Sequence, residues 1–300
     1  MRIGIDIGGT KTSVIAVDEG GAVLSESRAP SGRGPHAVVD VAVALADEAI
    51  AASGGRDAVT SIGACMPGIV DPARGVVRHA VNLGVEELRL GPELAARLGR
   101  PVVIGNDVKA AALWAHRAAA PPAGATMGYL NLGTGLAAAL VIDGVVAPGL
   151  AQSAGEIGHI PVGGPTTCHC GQVGCLETIA SGRALARSWQ AVDPALSNPF
   201  AAAAAGDEAA HRAVTSLCEG VALAIQILVL AAGVSQVVVG GGVVGLGGPL
   251  HTGIERELDR RAEQSPFLRP LALARRFSLL DPGVPVAALG ATLLGMNQTA

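Results

Sequence analysis

Apolar positions open the chain at once. Residues 2–7 alternate Ile3, Ile5 and Ile7 with smaller or polar residues, the period-two pattern of a strand with one face in a core. Residues 13–17 and 22–27 repeat the strand signal across Gly-rich turns, and three strands this close are most easily joined as an antiparallel meander. Over 36–52, Val38, Val41, Ala42, Leu45 and Ile50 approximate one helical face. Short buried strands follow at 61–65 and 102–105, with a helix over 92–98 between them. An alanine-rich helix begins after Asp107 and ends before Pro121 and Pro122, and the Ala/Pro/Gly stretch 118–124 marks a lobe boundary.

The second half starts in the same way. Residues 127–132 read as a strand, Gly133 to Gly135 as a turn and 136–142 as a second strand, with Asp143-Gly144 leading by a hairpin to a third. Two halves that each begin strand, Gly-Thr turn, strand predict a duplicated architecture without close sequence repetition. Residues 192–206 predict a loop and a short helix, 219–232 a strongly apolar helix, 236–239 a strand, 240–242 a glycine turn and 287–296 a helix. The longest apolar run, 221–234, is short for a membrane span and carries Gln226, which favours a buried helix.

Composition narrows the function classes. Half of the 300 residues are apolar, but only two Trp, one Tyr and three Phe are present, so the core is built from Ala, Val, Leu and Ile. A formal charge of -4 with no basic stripe argues against a nucleic-acid partner, and no secretory signal pattern appears. Five cysteines, three of them within 168–175, suit a metal site in a reducing compartment better than a disulfide framework. The expectation is a soluble cytoplasmic enzyme with no membrane partner.

Four motifs carry candidate chemistry. In Asp6-Ile7-Gly8-Gly9-Thr10-Lys11, adjacent glycines let backbone N–H groups approach phosphate oxygens, Thr10 adds a hydroxyl, and Asp6 can hold a hydrated Mg²⁺. The spacing is not that of a Walker loop, and a plain glycine hairpin is the other reading. Asn131-Leu132-Gly133-Thr134-Gly135 occupies the equivalent place in the second half, and the pair could grip a triphosphate. Asn106-Asp107 ends an apolar strand; the Asp107 carboxylate can take a proton from an attacking hydroxyl, or simply cap the next helix. His159, Cys168, Cys170 and Cys175 can close the four-ligand shell of a structural Zn²⁺, against a disulfide or inert thiols. A weaker signal is the strand 237–239 running into Gly240, Gly241 and Gly242, which allows close approach of a flat ligand such as a nucleoside or forms a tight turn. Cys65 and Cys218 read as ordinary core residues.

Together these motifs resemble the ROK family (repressor, open reading frame, kinase) from Met1 to about residue 296, most specifically over Gly155-Glu156-Ile157-Gly158-His159 and Gly174-Cys175-Leu176-Glu177. The resemblance implies an α/β, actin-like (ribonuclease H-like) two-lobed fold with ATP and sugar in the interlobe cleft. It implies an N-terminal lobe of 1–120, with a helix at about 286–300 packing back on it, and a C-terminal lobe of 121–285 with the zinc motif. Asp6, Gly8, Gly9, Thr10 and Lys11 then match the first phosphate loop, Gly133, Thr134 and Gly135 the second, and Gly241 and Gly242 the nucleotide side. Asp107 matches the base acting on the sugar 6-hydroxyl. Asn82, Asn106, Glu156, His159 and Glu177 match sugar contacts, with His159 also a zinc ligand beside Cys168, Cys170 and Cys175. The implied function is ATP- and Mg²⁺-dependent 6-phosphorylation of a free hexose or amino-hexose, in a homodimer.

The chain departs from the family pattern at Gly105, where Glu is usual before Asn-Asp, and in Asp107-Val108-Lys109-Ala110, where Asp-Ala-Asn-Ala is usual. An aromatic residue often follows the counterpart of Asn82-Leu83, and glycines are frequent where Leu136-Ala137-Ala138 stands. These departures keep amino-sugars such as kanosamine, and N-acetylmannosamine or N-acetylglucosamine, open beside glucose. A non-catalytic sugar-binding regulator is the competing class; the family's repressors carry a helix-turn-helix ahead of the kinase-like body, and here the first strand begins at about residue 2.

Overall fold

A computed structural model describes residues 1–191 and 197–296, so the start of the loop expected over 192–206 and the last residues of the 286–300 helix lie outside the described residues. The chain forms two compact units: residues 1–120 with 148–152 and the chain from Pro285 onward, and residues 121–147 with 153–284.

In the first unit Ile3, Ile5 and Ile7 of β1 (Arg2–Ile7) are fully buried, as their alternation predicts. Each contributes about 2 kcal/mol of apolar burial. β2 (Lys11–Val17) and β3 (Val23–Pro30) complete the antiparallel meander. The helix α1 (Pro35–Ala52) covers this sheet with Val38, Val39, Ala42, Ala46 and Ala49. β4 (Ser61–Met66) then pairs parallel to β1. A small antiparallel sheet, β5 (Ile69–Asp71), β6 (Val76–Ala80) and β7 (Val85–Leu88), was not expected from the sequence. After α2 (Leu90–Leu98), β8 (Val102–Asn106) pairs parallel to β4 and runs into α3 (Asp107–Ala119). The sheet order is β3-β2-β1-β4-β8.

The second unit repeats it. β9 (Thr126–Leu132), β10 (Leu136–Ile142) and β11 (Val145–Val146) form a meander. Helices α4 (Gly182–Ser188), α5 (Pro199–Ala204) and α6 (Glu208–Ala232) follow, and β12 (Gln236–Gly240) pairs parallel to β9. α7 (Gly248–Gln264) leads to β13 (Phe277–Leu279), giving the order β11-β10-β9-β12-β13. The two sheets have the same topology, as the paired strand–turn–strand signals predict.

α6 begins eleven residues before the helix expected at 219–232 because Asp207 caps it, accepting from the amides of Ala209 and Ala210 at 2.8 and 2.9 Å. The helix has the length and hydropathy of a membrane span, yet Leu217, Val221, Ala224 and Ile225 are fully buried in the core of this unit. It is a core helix. The last helix, α8 (Val286–Leu294), returns to the first unit and lies on β1 and β4 at backbone contact. A Cβ at Gly4 or Gly63 would overlap the carbonyl oxygen of Ala288 or Ala291, so both strand positions require glycine.

Candidate active site

The parallel pairing of β1, β4 and β8 brings three chain segments together at their carboxyl ends. Asp6 is registered with Cys65, Cys65 with Gly105, and Met66 with Asn106. Asn106 provides the N-cap of α3, its Oδ1 accepting from the amides of Val108 and Lys109 at 3.0 and 3.2 Å. The capping role open to Asp107 therefore belongs to its neighbour. Asp107 is half-buried in the first turn, where its Oδ1 accepts from the Val108 amide at 3.0 Å.

The two carboxylates feel each other. Burial pushes the Asp6 carboxyl up to about 7; the charge of Asp107 adds to this, while a hydrogen bond from Cys65 and the charge of Lys11 oppose it. Cys65 is the buried core residue that its type suggests, and it also meets Asp6. Its thiol is fully buried, donates to Asp6 Oδ1 at 3.6 Å and is held well above the ordinary thiol range by burial and the two carboxylates. Ser31, another residue with no sequence signal, braces the first glycine turn: its hydroxyl donates to Gly8 O at 2.6 Å and its amide to Thr10 O at 3.2 Å. Gly9, Thr10 and Lys11 are exposed at that turn, and a Cβ on Gly9 would come within 3.3 Å of Asn82. Asn82 itself is exposed.

Asp6 gives a stability prediction with a definite sign. The unfolded carboxyl ionises near 3.8 and the folded one near 7, so between these values the folded chain holds the extra proton and loses stability as pH rises. In Mg²⁺-free buffer the stability difference between wild type and Asp6→Asn should change by about 1.4 kcal/mol per pH unit from pH 5 to 7, in favour of the variant. Denaturant titrations at several pH values measure it. Parallel profiles for the two proteins would refute a buried, ionising Asp6.

In the second unit the turn Gly133 to Gly135 is closed by Gly133 N donating to Gly135 O at 3.1 Å, and the start of α4 clasps it through Gly182 N to Gly133 O and Arg183 N to Thr134 O. The segment 155–159 runs against β10, with Ala138 N donating to Gly155 O at 2.7 Å. This fixes the backbone on either side of Glu156, whose side chain is exposed, and of His159. Glu177 is buried beneath the glycine turn: its Oε2 accepts from the Leu136 amide at 3.2 Å, and a Cβ at Gly135 would stand 2.6 Å from that oxygen. Gly241 has φ 95° and lies against the Leu132 carbonyl and Asn131, at the end of β9, whereas Gly242 faces open space.

His159, Cys168, Cys170 and Cys175 converge, with one ligand atom from each inside a 4.8 Å cluster. Cys170 and Cys175 sulfurs are 3.7 Å apart, and Cys168 Sγ is 3.6 Å from His159 Nδ1. Tetrahedral zinc with ordinary Zn–S and Zn–N bonds places two thiolates about 3.8 Å apart and a thiolate and imidazole about 3.6 Å apart. The donor set fits. Pro161 and Cys175 form an isolated bridge, as do Thr167 and Val173, so the ligands hang on a short irregular ribbon. His169, between two of the cysteines, was passed over in the sequence; it pairs with Glu177.

The ROK family's sequence profile matches residues 2–285. The chain belongs to the ROK family. It is 29% identical to a glucokinase of Halalkalibacterium halodurans, over 87% of this chain and 86% of that one. It is 31% identical to an N-acetylmannosamine kinase of Citrobacter koseri, over 99% of both. Its fold is similar to that of a ROK family glucokinase from Streptomyces griseus solved with glucose and AMPPNP, with a TM-score of 0.80 and 30% identity, covering 98% of each chain. The actin-like α/β fold expected from the motifs is thereby shown, and the named relatives are sugar kinases.

Proposed function

We propose that this ROK protein transfers the γ-phosphoryl group of ATP to the 6-hydroxyl of a free hexose or amino-hexose. The observation that carries the reading is Asp107, set in the first turn of α3 beside the cap Asn106 and close enough to Asp6 for its charge to help raise that carboxyl. Asp107 accepts the proton of the 6-hydroxyl as its oxygen bonds to the γ-phosphorus, while the bond to the β,γ-bridging oxygen breaks and ADP leaves. Gly8 to Lys11 and Gly133 to Gly135 offer amides and the Thr10 and Thr134 hydroxyls to the phosphates, and Gly241 and Gly242 border the nucleoside. Asn82, Asn106, Glu156, His159 and Glu177 bind the sugar. Asp6 would hold Mg²⁺, which would supply charge neutralisation to the phosphates. His159, Cys168, Cys170 and Cys175 would hold Zn²⁺ with four protein ligands, and the ion would supply structure alone.

An N-acetylhexosamine is the second reading. It is favoured by the C. koseri relative, an N-acetylmannosamine kinase 31% identical over 99% of both chains. ADP formation across glucose, glucosamine, kanosamine, N-acetylglucosamine and N-acetylmannosamine tests both readings. The expected result is turnover of at least one of these that requires Mg²⁺ and ATP. Sugar binding without ADP formation would make the chain a sugar-binding regulator instead.

A further inference from the structure

Among the titratable residues of the Gly155–Glu177 region, His169 alone has no role in the resemblance. This residue is exposed at 57%, yet its Nδ1 lies 2.7 Å from Oε1 of Glu177, a carboxylate that is only 10% exposed. With Nδ1–H as the donor, a 2.7 Å separation is an ordinary charge-assisted hydrogen bond to the carboxylate. The Leu136 amide holds the other oxygen, Oε2, at 3.2 Å. Both oxygens of Glu177 are thus gripped from opposite sides, one by the strand behind the glycine turn and one by His169.

The other neighbours of His169 leave this assignment standing. The His159 ring meets it edge-on with centroids 5.1 Å apart, which orients the imidazole without competing for its proton. Arg183 Nη1 could donate to the same Nδ1, but at 3.5 Å that contact is at the limit of a hydrogen bond and much longer than the 2.7 Å to Glu177, so Arg183 mainly contributes positive charge near the carboxylate. Cys168 Sγ approaches both Glu177 Oε1, at 3.6 Å, and His169 Nδ1, at 3.7 Å. As a zinc ligand Cys168 is a thiolate with no proton to donate, and the N–H of His169 then stands between two anions.

We infer that His169 is a positioning residue of the sugar site, fixing the rotamer of Glu177 so that its remaining lone pairs face the sugar hydroxyls. This rests on the reading of Glu177 as a sugar ligand. A carboxylate has about four acceptor directions, and the Leu136 and His169 donors occupy two of them. With one donor removed, Oε1 is free to turn about χ3 and the pocket loses its fixed pair of acceptors.

The test compares His169→Ala, His169→Asn and Glu177→Gln in the full chain, using the hexose with the highest rate in the panel. Zinc content, sugar KM and ATP KM are measured for each. His169→Ala should raise the sugar KM about tenfold, the loss expected for one hydrogen bond to a charged group, while ATP KM stays within about twofold and zinc remains stoichiometric. His169→Asn, whose amide nitrogen reaches the place of Nδ1, should recover most of the loss. An unchanged sugar KM in His169→Ala with a raised one in Glu177→Gln would overturn the inference while leaving Glu177 in the site. Unchanged sugar KM in both would remove Glu177 from the sugar site and this role with it. Loss of zinc from His169→Ala would make His169 a metal ligand and equally overturn the assignment.

Discussion

Replacing Asp107 by Asn should lower kcat by about two to four orders of magnitude, the usual contribution of a positioned general base. The exchange is structurally mild. The amide oxygen can still accept from the Val108 amide, and the cap of α3 is carried by Asn106, so the melting temperature should hold. It also removes one of the two contributions that raise the Asp6 carboxyl, leaving Asp6 more readily ionised for Mg²⁺. Any indirect effect through the metal therefore runs toward better binding, and a fall in kcat reports the lost proton acceptor. Sugar affinity, titrated directly, should stay within a few-fold of wild type. A variant keeping more than about a tenth of wild-type kcat would falsify the base assignment.

The sequence made the repeated half of the architecture legible because its signals are local. Alternating isoleucines in β1 and the Gly-Thr turn behind it are readable within ten residues, and the same grammar returns at β9. The small sheet β5–β7 escaped because its strands are three to five residues long and one-sided: Ile69 is 52% exposed, and Arg78 pairs with Glu87 on the outer face. α7 escaped although its signal was present. Pro249 stands in the first turn, and Leu250, Ile254 and Leu258 recur at four-residue spacing, but the charged remainder hides that stripe.

The site divides along the same line. Ligands close in sequence, such as Cys168, Cys170 and Cys175, announce themselves by spacing. Cys65 does not, because it reaches Asp6 through a parallel strand pairing across 59 residues. Lys109 is a second case. Its Nζ donates to Pro148 O, Gln152 O and Gln152 Oε1 at 3.2, 2.8 and 3.0 Å, which attaches 148–152 to the first unit instead of the lobe its sequence position suggests.

Removing one thiolate of the zinc site by Cys170→Ser should have the largest effect outside the base. Cys170 is the exposed member of the set, so the substitution leaves no buried cavity, and what is lost is coordination. Structural zinc contributes on the order of 10 kcal/mol to folding in small zinc domains, far more than this ribbon can recover from its own backbone bonds. Those bonds include Val162 N to Gly174 O, Cys168 N to Gln172 O and Leu176 N to Ile160 O, and few apolar side chains reinforce them. The ribbon begins at His159, three residues after Glu156, and ends at Cys175, two residues before Glu177, so its loosening reaches both proposed sugar carboxylates. The first phosphate turn belongs to the other unit and keeps its Ser31 brace. The variant should therefore contain less than one zinc per chain, melt several degrees lower, and show a sugar KM raised tenfold or more with a smaller change in ATP KM. Elemental analysis of wild type and variant, paired with the two titrations, decides the matter. Wild-type protein without stoichiometric zinc, or a zinc-free variant with normal sugar affinity, would show that this metal does not shape the sugar pocket.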